Sequence, residues 1–277
     1  MPCIYTEYGT LREAVVCEPT HVRIKAPLNA VQEHFLTVDP PDLSRVPAEY
    51  EAWSVLLRRQ RARLHYLPPA DDLPSQTYTR DIGFVIGETL YVGTMKEPLR
   101  VRETDIFLDW LQHKKLPHVR LPSGILEGGD VLVDYPNVYV GMGVRSNAAG
   151  VAGLRAVLPP DWQLIAVPLA RGVLHLDCVC TIIGARTVIW CPELIASNQS
   201  GIAGNFDDCI EVTQDEYFHM AVNVLLLDPQ TVCVESAQVR LQGLLQDRGF
   251  TVHAVAWTEL KKLGGLFRCA TLPVIRD

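Results

Sequence analysis

No stretch of this 277-residue chain is both long and apolar enough to span a bilayer, because Asp177, Arg186 and similar residues interrupt every candidate. The start, Met1-Pro2-Cys3-Ile4-Tyr5-Thr6-Glu7, lacks the basic opening and apolar core of a signal peptide, so a cytoplasmic location is expected. The eight cysteines include no CxxC pair and are spread along the chain, which disfavours a disulfide framework. Basic residues do not predominate. The net charge of −7 argues against nucleic acid or an anionic membrane as the main partner and is compatible with a cationic small molecule.

What the sequence does have is a spaced series. Asp81, Asp130, Asp177, Asn223 and Cys269 lie 49, 47, 46 and 46 residues apart. Most of them open a short apolar run, a turn and a second apolar run. Ile82-Gly83-Phe84-Val85-Ile86 turning into Leu90-Tyr91-Val92-Gly93 is the clearest copy; others begin at Val131, Val179 and Val224. A period of this length signals stacked or radially arranged supersecondary units.

Helical spacing follows the apolar pairs at Glu49–Leu64, Glu103–Leu111, Ser146–Leu158 and Val239–Leu245, each leading into another strand-like run. The weakest of the helices falls near Pro192–Ala203, interrupted by Gly201 and close to Gly204. The unit is strand, strand, helix, strand, about five times over. Leu11–Glu18 is an initial strand with no partner before it, and Cys269–Ile275 a final strand with none after it. Pairing these two would close a ring and remove exposed edges; an open sheet of α/β units is the alternative. The expectation is an α/β fold, a five-bladed propeller of ββαβ repeats closed by its terminal strands, with 1–277 as a single catalytic domain. Residues 19–48, rich in proline and without periodicity, break the pattern and read as an irregular insertion, either a lid or a passive wrap.

Each residue able to do chemistry has an ordinary reading when taken alone. Cys269, after Gly264-Gly265 and Arg268, resembles a buried structural cysteine; His175 a strand-end histidine; Glu127, before Gly128-Gly129, a turn residue; Asp81 a partner for Arg80. Metal binding by His175, Asp177, Cys178 and Cys180 is disfavoured, because alternate strand residues face opposite sides. Register changes the balance. Cys269, His175 and Asp177, Glu127 and Asp130, and Asp81 hold equivalent places in successive units. Together they offer a nucleophile, an acid/base and carboxylates suited to a planar cation. Arg100, Arg102 and Arg145 could hold an anionic tail of the same ligand.

These motifs resemble the guanidino-group-modifying enzymes of the pentein fold: dimethylarginine dimethylaminohydrolases, arginine deiminases and amidinotransferases. The resemblance runs from Tyr8-Gly9-Thr10 to Arg268-Cys269-Ala270 and onward. It is anchored on Thr79-Arg80-Asp81, Glu127-Gly128-Gly129-Asp130, Arg145-Ser146-Asn147, His175-Leu176-Asp177 and the Gly-Gly loop before Cys269. It implies Cys269 as nucleophile, His175 as acid/base supported by Glu127, Asp81 and Asp177 on the guanidinium, and Arg145 with Arg100 on a substrate carboxylate. It implies no metal and no cofactor. The length is closest to the dimethylarginine hydrolases. Asp177 departs from them, standing where they carry lysine, and matches deiminases and amidinotransferases. Ser75 and Arg80 stand where the dimethylarginine hydrolases have acids.

The reaction so implied is hydrolysis of a guanidinium C–N bond through a Cys269 thiouronium, giving a ureido product and ammonia or an alkylamine. Transfer to an amine acceptor, arginine deiminase or dihydrolase chemistry, and a non-catalytic binding role are the alternatives. A homodimer is the assembly to test for.

Overall fold

A computed structural model describes residues 1–196, 202 and 204–277. Five three-stranded sheets make up its architecture. Along the chain the first unit contributes β1 (Leu11–Val16), α1 (Ala30–Val38), α2 (Val46–Arg59) and β2 (Arg63–Tyr66). The second has β3 (Gly83–Ile86), β4 (Thr89–Val92), α3 (Val101–Lys114) and β5 (Val119–Arg120). The third has β6 (Val131–Asp134), β7 (Asn137–Met142), α4 (Ala148–Val157) and β8 (Gln163–Pro168). The fourth has β9 (Cys180–Gly184), β10 (Thr187–Trp190) and β11 (Asp208–Glu211). Then follow α5 (Gln214–Phe218), β12 (Leu225–Asp228), β13 (Thr231–Glu235), α6 (Val239–Gln246), β14 (Thr251–Val255), α7 (Thr258–Lys262) and β15 (Leu272–Arg276).

In four sheets an antiparallel hairpin is joined by a third strand running parallel to its second member. The fifth sheet has the same pattern but draws its hairpin from both ends of the chain. There β15 pairs antiparallel with β1, and β2 lies parallel to β1. A parallel third strand needs a crossover, which is why α1 with α2, α3, α4 and α6 each precede the third strand of their sheets. Strands such as β3 and β6 are continuous apolar runs because both faces are covered. On α2, Tyr50, Trp53 and Leu57 form one buried face, and Trp53 meets Trp257 edge-on at 5.3 Å between ring centroids.

Two expectations need correcting. Residues 19–48 are not irregular throughout, since α1 occupies Ala30–Val38 and Asn29 caps it by accepting from the Gln32 amide at 2.9 Å. The helix expected near Pro192–Ala203 begins instead as a single 3-10 turn at Pro192–Leu194, and Ile195 bridges to Leu169. Positions 197–201 and 203 of that segment lie outside the described residues.

The spaced polar series has a local structural cause. Short 3-10 turns at Thr79–Ile82, Gly128–Asp130 and Leu176–Cys178 lead directly into the hairpins that follow, and they carry Asp81, Asp130 and Asp177. Hydrogen bonds link the short segments that carry these five positions. Arg80 Nε donates to Gly128 O at 3.2 Å, and Asp130 Oδ1 accepts from the Leu176 amide at 2.9 Å. Asn223 Nδ2 donates to Asp177 O at 3.2 Å, while Asn223 Oδ1 accepts from the Cys269 amide at 3.2 Å. The Arg80 amide donates to Cys269 O at 3.0 Å, which returns the series to its start. No described helix is long and apolar enough to cross a membrane.

Candidate active site

The 3-10 turns, the loop between β7 and α4 and the loop after α7 bring Asp81, Arg100, Arg145, His175 and Cys269 to one narrow pocket, together with Ser75 and Tyr78. Leu28, Asn29 and Gln32, at the entry to α1, border it as well. Glu127, which contacts His175, and Asp177 are not part of the pocket wall, and neither has exposed surface. Cys269 is 3% exposed and His175 1%, so the chemistry would take place out of bulk water.

His175 Nε2 is 2.8 Å from Glu127 Oε2, and its Nδ1 is 3.6 Å from Asp81 Oδ1. Burial alone would lower the imidazole's proton affinity. Asp81, Glu127 and Asp130 outweigh it and hold His175 protonated up to about pH 10. Glu127 is fixed in turn by the Lys96 amide, which donates to Oε1 at 2.9 Å, and Arg145 Nη1 approaches its Oε2 at 3.6 Å. Asp81 and Glu127 both stay below the usual carboxylate range: burial pushes them up, and cations beside them, His175 foremost, pull them down further.

Glycine is required at two points. A Cβ at Gly129 would lie 2.7 Å from Asp81 Oδ1 and 2.8 Å from the His175 ring. One at Gly265 would lie 2.3 Å from the Tyr78 ring, whose hydroxyl donates to Leu260 O at 2.9 Å. The loop before Cys269 can therefore pass close beneath Tyr78.

The charged residues around the pocket divide by what they touch. Arg100 Nη1 donates to Asp81 Oδ2 at 2.6 Å, its Nη2 to Glu103 Oε2 at 2.7 Å and to Tyr78 O at 3.1 Å. Arg145 Nη2 donates to Leu28 O at 3.1 Å, while its Nη1 makes no hydrogen bond. Arg102 is exposed and pairs with Asp72, away from the pocket. Arg80 turns inward to Glu7 at 3.3 Å, and Arg268 reaches the same Glu7 at 2.5 Å, with its Nε 3.4 Å from Asp177 Oδ2.

His175, Asp177 and Cys178 do not alternate between faces as strand residues would, because 176–178 is a 3-10 turn. Donor atoms of His175, Asp177 and Cys178 lie within 4.8 Å of one another, as do those of Asp81, Glu127 and His175, so either set has the spacing of a metal site. Cys178 also lies against Cys269, and that contact, ahead of burial, pushes the Cys178 thiol well up. Sequence reasoning missed Cys178 at the site, along with Tyr78, Asn29 and Gln32. Only Asn29, a cap residue ahead of an amphipathic turn, carried a readable signal.

Comparison with known proteins agrees with this geometry. A family model described as N,N dimethylarginine dimethylhydrolase, eukaryotic, matches residues 18–276. The uncharacterized protein YkgA of Bacillus subtilis is 34% identical over 271 residues, covering 98% of this chain and 94% of its own. Arginine deiminase of Mycobacterium avium is 28% identical over 75% of this chain, which spans 61% of that enzyme. Among solved structures, the N-terminal domain of ArgZ, a cyanobacterial arginine dihydrolase, superposes with a TM-score of 0.86 at 21% identity, covering 95% of this chain and 97% of that one. SxtG, an amidinotransferase from Microseira wollei, gives 0.84 at 17% identity over 100% and 97%. The two structural likenesses establish a shared mixed α/β fold. With its family model matched over nearly the whole length, the chain belongs to the N,N dimethylarginine dimethylhydrolase family, within the pentein superfamily of guanidino-group-modifying proteins.

Proposed function

We propose that this protein hydrolyses a C–N bond of an arginine-type guanidino compound through a covalent intermediate on Cys269. The carrying observation is a set of buried polar atoms on the pocket wall that make no hydrogen bond: Asp81 Oδ1, His175 Nδ1 and Arg145 Nη1. A buried polar group without a partner costs about 1–3 kcal/mol, so such atoms gathered at one site call for a ligand that completes them. A guanidinium offers donors to the carboxylates, and an acid group on its tail would complete Arg145.

The Cys269 thiolate attacks the guanidinium carbon while Asp81 and Asp177 keep that carbon cationic. His175, protonated through the neutral range, gives its proton to the departing nitrogen. Then, as a neutral base, it takes a proton from water attacking the thiouronium. The C–S bond breaks, and a ureido product leaves. Glu127 orients the imidazole and compensates its charge. Arg100 has most of its N–H groups committed to Asp81, Glu103 and Tyr78, so its contribution to a substrate carboxylate is secondary to that of Arg145.

In the same reading, residues 1–277 act as one catalytic unit and the five sheets are blades of a closed propeller. Pairing of β15 with β1 and the circuit of hydrogen bonds through Arg80, Asp130, Asn223 and Cys269 support it. Residues 28–32 serve as the lid, since they border the pocket and Gln32 Nε2 donates across it to Leu263 O at 2.7 Å.

A colorimetric ureido assay over arginine, monomethyl- and dimethylarginine and agmatine, with and without an added amine, tests the reading. Ureido product that is abolished by Cys269→Ser is expected. Activity surviving that substitution would sink the mechanism, and consumption of the guanidine only with the amine, without ureido product, would replace hydrolysis by transfer.

A further inference from the structure

Glu103 carries a buried charge that neither the pocket nor the mechanism uses. It sits in the first turn of α3 with no exposed surface and is absent from the pocket wall. An acid in a first turn complements the helix dipole, but it does so from the surface and needs no burial. This one is committed to a single partner. Both carboxylate oxygens lie 3.1 Å from Arg100 Nε, and Oε2 lies 2.7 Å from Arg100 Nη2. The other end of the same guanidinium, Nη1, is on Asp81 Oδ2 at 2.6 Å. Arg100, 4% exposed, is thus held between two carboxylates.

This arrangement has two consequences for Asp81. Arg100 approaches it with one nitrogen only, because Nε and Nη2 are turned to Glu103, so Asp81 Oδ1 stays without a hydrogen bond and faces His175 Nδ1 at 3.6 Å. The second consequence concerns charge. Asp81 and Arg100 alone would cancel; with Glu103 the group of three is negative by one unit and still attracts a cation.

We propose that Glu103 is a positioning residue: acting through Arg100, it orients Asp81 so that one oxygen is presented to the ligand, and it preserves the negative charge that selects a guanidinium. The inference rests on the guanidino reading of the site for its ligand, but its structural half does not.

Binding of arginine, agmatine and free guanidinium is measured by calorimetry in the Cys269→Ser background, with Glu103→Gln, Glu103→Asp, Arg100→Gln and the Glu103→Gln/Arg100→Gln pair. Glu103→Gln is expected to raise Kd at least tenfold for all three ligands and Glu103→Asp to recover most of that loss. In the Arg100→Gln background, Glu103→Gln should cost at least threefold less than it does with Arg100 present, what remains being the loss of its charge. Unchanged binding in Glu103→Gln, or an equal loss with and without Arg100, overturns the proposal. A crystal structure of Glu103→Gln gives a readout that needs no ligand: Arg100 should move to engage both Asp81 oxygens, and an unmoved pair overturns the proposal. Absence of guanidine binding in the parent Cys269→Ser protein would instead defeat the functional reading, leaving the crystallographic result to decide the role of Glu103. Should Glu103→Gln fail to fold, Glu103→Asp decides by itself, with a two- to fivefold loss expected and parental affinity contrary.

Discussion

Asn223 holds Cys269 in place by its backbone: its Oδ1 accepts from the Cys269 amide at 3.2 Å while its Nδ2 donates to Asp177 O at 3.2 Å. One side chain thus sets the spacing between the proposed nucleophile and the turn that carries Asp177. Asn223→Ala should destabilise the fold by about 2–6 kcal/mol, since two buried backbone groups lose their partners at about 1–3 kcal/mol each. It should lower kcat more than it raises KM. Asn223→Asp restores the acceptor but not the donor and should recover only part. Thermal melts and steady-state kinetics check both.

The alkaline limit of activity should follow His175. Its folded pKa is raised from 6.5 to about 10, so the protonated form is stabilised by folding. That stabilisation is complete below 6.5 and is lost as pH rises through about 10. The proton needed for the leaving nitrogen disappears over the same limb. Glu127→Gln removes one of the anions that hold the proton, so the alkaline limb of kcat/KM should move to lower pH. A pH–rate profile that keeps its limb near that of the wild type would refute this account.

Gly129→Ala should be severe for activity and moderate for stability. The added methyl meets Asp81 Oδ1 at 2.7 Å and the His175 ring at 2.8 Å, so both must shift. Overpacking of this kind costs about 1–3 kcal/mol. At least a tenfold loss in kcat is expected from misplacing the acid/base, checked by kinetics on protein of verified fold.

Glu7 should govern stability in acid. Burial pushes its carboxyl up, but Arg268 and then Arg80 outweigh burial and hold it at about 2. Its stabilisation is present above about 4.5 and is lost as pH falls through about 2. Glu7→Gln leaves Arg80 and Arg268 without their shared anion and should cost about 3–5 kcal/mol at neutral pH. The variant's stability should also fall less between pH 4.5 and 2 than that of the wild type, as denaturant titrations at several pH values would reveal.

Arg145 should discriminate between substrate tails. Arg145→Gln should raise KM at least tenfold for arginine and leave KM for agmatine, which lacks the carboxylate, within about twofold. Equal losses on both would show that Arg145 acts through Glu127, which its Nη1 approaches at 3.6 Å.

The sequence was most legible where chemistry and geometry repeat together. Asp81, Asp130 and Asp177 stand out because each sits on a 3-10 turn leading into an apolar hairpin. The helices α2, α3, α4 and α6 were readable because each buries a face against the sheets. The helix α1 was not, because its buried residues are only Gln32 and Phe35, and Gln32 is spent on a loop more than two hundred residues away. The tasks of the arginines were hidden for a similar reason. Arg80 and Arg268 meet at Glu7 across separations of 73 and 261 residues, which no local pattern records. Cys178 was placed on the wrong face because the turn that carries it was read as strand.

The pairing of β15 with β1 bears on how the protein is made. Cys269 lies three residues before β15, and β15 completes the sheet begun by β1. During synthesis the ribosome releases the proposed nucleophile and its sheet partner together, after every other residue of the site has emerged. A nascent chain stalled before them has its carboxylates and His175 but no means of attack. Acquiring the proposed nucleophile would then coincide with joining β15 to β1.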